Sequence, residues 1–130
     1  MSDKKFNEEK DYRLKTRLRF WYSLPAVLIA VTIFWLSNAT HPEFPHIGIE
    51  WEDKIAHSLA YFIFGISLIM FLLSNTKWDS RNKIAIVTII IGALYGFSDE
   101  LHQYFIPGRD AEFLDWVADI VGISISLIFI

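Results

Sequence analysis

FWYSLPAVLIAVTIFWLSN, residues Phe20 to Asn38, runs for 19 positions without a charged side chain. As a helix rising 1.5 Å per residue it covers about 28 Å, close to the hydrocarbon thickness of a bilayer. A basic segment before an apolar one also resembles a secretion signal. This run exceeds the roughly 7–15 apolar residues of a signal core, and no A-x-A site follows, so an uncleaved span is expected. Pro25 is expected in its first turns, where a missing N–H is tolerated.

Working outward, three more apolar stretches follow. Ile55 to Leu73 reads IAHSLAYFIFGISLIMFLL, with His57 and Tyr61 as its only titratable groups. Ile84 to Phe97 reads IAIVTIIIGALYGF. No proline interrupts it before Pro107, so the helix is expected to continue through Ser98, Asp99 and Glu100 to about Ile106. Phe113 to Ile130 carries Asp115 and Asp119 in its first half and ends on IVGISISLIFI. Residues 1–19 are polar and hold seven Lys/Arg, which predicts a cytoplasmic tail or a surface-lying helix.

The expected fold is therefore all-α: an integral membrane four-helix bundle with spans near 20–38, 55–73, 84–106 and 113–130. At 130 residues the chain suits one bundle rather than two domains. Hydrophobic residues make up 53% of it and are blocked into runs, which is the membrane pattern. A net charge of −3 gives no basic field, so no nucleic-acid partner is expected. The absence of cysteine excludes disulfides, thiolate catalysis and Cys-based metal sites.

Lys and Arg are distributed as seven before the first span, then one, three and one in the successive loops. That distribution puts both termini and the second loop in the cytoplasm of a cell (plasma or inner) membrane. Loops one and three then lie together outside. The first loop holds His41, Glu43 and His46, which read as solvated. Trp21, Trp35, Trp51, Trp78 and Trp116 fall near span ends and read as interfacial anchors.

This topology gathers the ionisable residues at the outer end. Asp53, Lys54 and His57 enter the second span there, and Asp99, Glu100, His102 and Gln103 leave the third. Arg109 and Asp110 sit in the third loop, and Asp115 and Asp119 enter the fourth span. A charge at a helix centre costs on the order of 2.5–3.5 kcal/mol on insertion scales, so these groups should face each other or water. Asp53, His57 and Tyr61 are four apart and share a face, as do Asp99 with Gln103 and Asp115 with Asp119. Gly92 and Gly96 form GxxxG, which admits a close neighbour or supports a homo-oligomer. A polar pocket lined by the second, third and fourth spans is expected.

WEDKIAHSLAYFIFG at 51–65, YGFSDELHQYFIPGRDAEFLDWVADIVG at 95–122 and FWLSN at 34–38 resemble the VanZ-like membrane protein family. The matching positions are Asp53, Lys54, His57, Tyr61, Asp99, Glu100, Gln103, Pro107, Gly108, Arg109, Asp115 and Gly122. One position departs: Asp119 stands where the family pattern usually has Asn. The resemblance implies a four-helix envelope protein of a family named for a glycopeptide-resistance factor linked to teicoplanin.

Two functions follow as expectations. In the first, the pocket binds a membrane lipid or an anionic, lipid-linked or peptidoglycan-precursor-like headgroup. Arg109 is then the clamp, a guanidinium fork suited to phosphate or carboxylate. Gln103, Asp99, Tyr61, Asp115 and Asp119 complete the ligand-binding set. In the second, the protein is a small intramembrane hydrolase or transferase. His57, oriented by Asp53, is its candidate base and Glu100 its acid. Asp99 and Glu100 point about 100° apart on a helix, and Glu100, continuing the glycine row, is expected in the pocket. His57, Glu100, Asp115 and Asp119 offer one nitrogen and several oxygens to a divalent ion, but no spacing here is diagnostic and no cofactor is expected.

Overall fold

The computed structural model describes residues 3–39, 51–78 and 80–130, with side chains from Asn7 onward. His41, Glu43 and His46 lie outside the described residues. Four helices carry the chain: α1 (Asp3–Ser37), α2 (Glu52–Asn75), α3 (Arg81–Tyr104) and α4 (Phe113–Ser126), the last followed by one 3₁₀ turn at Leu127–Phe129. There is no strand among the described residues.

α1 is the longest element, at 35 residues. The polar segment expected before the first span is helical and continuous with it. Its charges are arranged i, i+4, with Arg13 on Glu9 at 2.7 Å and Lys15 on Asp11 at 2.6 Å. Because the helix starts at Asp3, Pro25 sits in its interior and not in a first turn. The missing N–H leaves the carbonyl of Trp21, four residues back, without its helical donor.

α1, α2 and α3 are each long and apolar enough to cross a membrane. α4, with 14 residues, covers about 21 Å, and the 3₁₀ turn adds about 6 Å. α4 alone falls short of the length that the expected fourth span needs. α3 stops at Tyr104, slightly before the expected Ile106. Pro107 disfavours helical backbone at the residue before it, and Gly108 turns the chain at φ 83°.

α2 sits at the centre and touches the other three helices, with its broadest interface on α4. Small residues set the spacing there. A Cβ on Gly122 would collide with the backbone of Ser58 and Phe62 on α2. On α3, Gly92 receives the side chain of Ile123 and Gly96 receives Asp119. The GxxxG pair is therefore filled by α4 of the same chain.

Large apolar side chains cover the outside: Val27, Val31 and Trp35 on α1, Ile86, Ile90 and Leu94 on α3, Val121 and Ile125 on α4. The interior meanwhile buries Ser37, Ser67, Thr88, Asp99, Glu100, Gln103, Asp115, Asp119 and Ser126. Apolar surface out and polar groups in is the arrangement that a lipid solvent stabilises and water does not.

Candidate functional site

The charged residues of the spans meet at one end of the bundle. The ends of α1 and α3 arrive there, and α2 and α4 begin there. Three polar groupings form, each tying different helices.

The first joins α2, α3 and α4. His57 Nδ1 lies 2.9 Å from Asp119 Oδ1. Asp119 is fully buried, and its second oxygen Oδ2 faces Gly96, at 2.8 Å from where a Cβ would sit. Glu100 Oε2 accepts the backbone N–H of Glu112 at 3.0 Å. Glu112 is the residue just before α4, so an acid from the end of α3 caps the start of the next helix. The α3 C-terminus disfavours an acid, whereas the α4 N-terminus attracts one, and the fold uses the second.

The second joins α1 to α3. Ser37 Oγ donates to Asp99 Oδ1 at 2.5 Å, and Gln103 Nε2 donates to Ser37 Oγ at 3.1 Å and to Asp99 Oδ2 at 3.3 Å. Asp99 and Gln103 are both buried. Beside them His102 Nε2 meets Asn38 Oδ1 at 3.0 Å, and its ring stacks on Phe34.

The third is ionic and lies nearer the surface. Lys54 pairs with Asp53 at 2.6 Å, Glu112 at 2.5 Å and Asp115 at 2.9 Å. It pins the first turn of α2 to the first turn of α4.

A cavity of about 70 Å³ opens between the first two groupings. Its polar lining is Ser37, His57, Tyr61, Asp99, Gln103 and Arg109, and its apolar wall includes Ile33 and Leu36. That volume holds several waters or a phosphate-sized group. Two unsatisfied donors border it: the Tyr61 hydroxyl and Arg109 Nε are buried and have no hydrogen-bond partner. Arg109 makes no ion pair among the described residues. On the far side of Glu100, a groove of about 340 Å³ runs between α3 and α4, lined by Phe97, Leu101, Tyr104, Phe113 and Trp116.

Several expectations change here. The cavity is walled by α1, α2 and α3, not by α4. α4 stands behind His57 and supplies Asp119. Asp53 does not orient His57; it is exposed and belongs to Lys54, while Asp119 holds the imidazole. Asp115 also goes to Lys54 and stays out of the cavity. Asp99 and Glu100 are both buried, on opposite sides of the site, so neither is left to water. Trp116 is not only an interfacial ring, because its indole N–H bonds the Ala93 carbonyl at 2.9 Å. Ser37 and Glu112 were missed. Ser37 is one hydroxyl at the end of an apolar run, and Glu112 acts through its main chain, which no side-chain pattern reveals.

A family model described as VanZ/LLP1 matches residues 3–130, essentially the full chain. The chain belongs to the VanZ/LLP1 family. No curated protein and no solved structure matches it. In this VanZ/LLP1 chain, the segments that carried the resemblance are the ones that build the polar end. FWLSN supplies Ser37, WEDKIAHSLAY supplies Lys54, His57 and Tyr61, and the long segment from Tyr95 supplies the rest.

Proposed function

We propose that this VanZ/LLP1 protein is a multi-pass envelope membrane protein that binds an anionic headgroup at its polar end. The headgroup belongs to a membrane lipid or a lipid-linked envelope precursor. The single observation that carries this reading is Arg109, whose Nε is buried at the cavity without a partner. A guanidinium whose buried Nε lacks an acceptor is stabilised by a phosphate or carboxylate that accepts a bidentate pair of hydrogen bonds. Tyr61 and Gln103 offer further hydrogen bonds, and His57 presents its ring edge. The Lys/Arg distribution orients this end away from the cytoplasm. In that position, headgroup binding would influence sensitivity to glycopeptides such as teicoplanin, the role for which the family is named.

The test is native mass spectrometry of protein extracted with bound lipid. An anionic lipid should co-purify with the wild type, be lost in Arg109→Ala, and persist in Arg81→Ala at the opposite end of the bundle. Equal retention in all three proteins refutes the reading.

One observation favours a second reading, the intramembrane hydrolase or transferase. Asp119 engages His57 Nδ1 while the ring lines the cavity, the geometry of an oriented general base. Glu100 would be the acid. Turnover of extracted lipid by wild type, abolished in His57→Gln while lipid still binds, would select this reading over simple binding.

A further inference from the structure

Behind His57, donors from three helices converge without a Lys or Arg to match them. One donor atom each from His57 on α2, Glu100 on α3 and Asp119 on α4 lies within 4.8 Å of the other two. Glu100 and Asp119 are 7% and 0% exposed. Each keeps one carboxylate oxygen, Oε1 and Oδ2, buried with no hydrogen-bond partner. A buried polar atom left unsatisfied costs on the order of 1–3 kcal/mol, more when charged, and neighbouring carboxylates also repel.

His57 reaches only Oδ1 of Asp119, and the nearby Lys and Arg do not satisfy the two remaining oxygens. Lys54 is committed to Asp53, Glu112 and Asp115, and Arg109 borders the cavity on the other side of His57. The missing partner is a positive charge that accepts lone pairs from both carboxylates and one imidazole. The spacing agrees with a metal ion. Two ligands about 2.1 Å from one tetrahedral ion stand about 3.4 Å apart. His57 Nδ1 and Asp119 Oδ1, now 2.9 Å apart, need to part only slightly to reach that separation. The Glu100 oxygen lies within 4.8 Å of both, so a modest movement of its side chain brings it to the same separation.

We propose that His57, Glu100 and Asp119 form a binding site for a divalent transition-metal ion of the Zn²⁺ type. One nitrogen and two carboxylate oxygens suit such an ion and leave positions open for water or a ligand. The α3–α4 groove, which Glu100 also lines, provides the way in. The cluster of Asp53, Glu112 and Asp115 has comparable spacing, but the Lys54 ammonium already fills it. The metal site shares His57 with the Arg109 cavity and takes no other residue from its lining, so its occupancy is read with no lipid added.

The experiment uses full-length protein in detergent, stripped with chelator and titrated with Zn²⁺ alone. Wild type should take up one equivalent, and Co²⁺ in its place should give visible d–d bands. Glu100→Gln and His57→Gln should each weaken Zn²⁺ binding about tenfold or more, while Asp53→Asn leaves it unchanged. If those variants fail to fold, Cu²⁺-loaded wild type decides: its electron paramagnetic resonance should show coupling to one imidazole nitrogen. No Zn²⁺ uptake by wild type, loss of binding in Asp53→Asn instead, or a Cu²⁺ spectrum without nitrogen coupling overturns the proposal.

Discussion

Asp119 on α4 grips His57 on α2 through Oδ1 and Nδ1 at 2.9 Å, with the carboxylate wholly buried. This contact lies beside Gly96, against which the carboxylate rests, and one turn from Gly122, where a Cβ would strike the α2 backbone. Asp119 is thus an acid held in a buried, close-packed position. Replacing it with Asn keeps one acceptor for His57 and removes a buried negative charge. Asp119→Asn should therefore fold at least as stably as wild type, by thermal melting in detergent, while losing whatever needs the charge. A large drop in melting temperature would contradict this account of the pair.

Gly122 sets the distance between α2 and α4. A methyl group there meets the Ser58 carbonyl and the Phe62 amide, neither of which can rotate away. Gly122→Ala should destabilise the bundle by about 1–3 kcal/mol, the usual cost of overpacking. The readout is a lowered unfolding midpoint in a denaturing-detergent titration. Gly108→Ala makes a useful contrast, because its cost comes from positive φ and not from crowding.

Ser37 is the hydroxyl by which α1 reaches the polar end. Its bonds to Asp99 and Gln103 are buried. Ser37→Ala should cost roughly 1.5–3 kcal/mol, as for hydrogen bonds to charged groups, and loosen the α1–α3 contact. Hydrogen exchange of the last turn of α1 should rise while that of α4 stays unchanged. Equal exchange in the two proteins would show that apolar packing alone seats α1.

Glu100 caps α4 through the Glu112 amide. Glu100→Gln retains an acceptor and should leave α4 formed. Glu100→Leu removes it and should cost about 1 kcal/mol at the start of that helix. Circular dichroism and protease sensitivity around 110–113 distinguish the two variants.

The absence of cysteine makes orientation directly measurable. A single cysteine at Asp110 should react with an impermeant maleimide in intact cells, and one at Asn82 only after the membrane is permeabilised. Labelling of both from one side would undo the assignment of the polar end to the non-cytoplasmic face.

The apolar runs by themselves determined the helix count, the location of the helices and the burial of charge at one end. Burial of apolar length in lipid is a local property, and backbone hydrogen bonds must close within each helix. Residue spacing likewise marked His57, Glu100, Asp99, Gln103 and Arg109 as candidates, because ionisable groups in an apolar run are conspicuous. What only the tertiary structure decided was partnership. Asp53 shares a helical face with His57, yet Asp119 takes the histidine because Gly96 and Gly122 let α4 come close. Asp99 and Glu100 part to opposite sides because α1 and α4 pack on different flanks of α3. Such choices depend on distances between helices far apart in sequence, and periodicity within one helix carries no record of them.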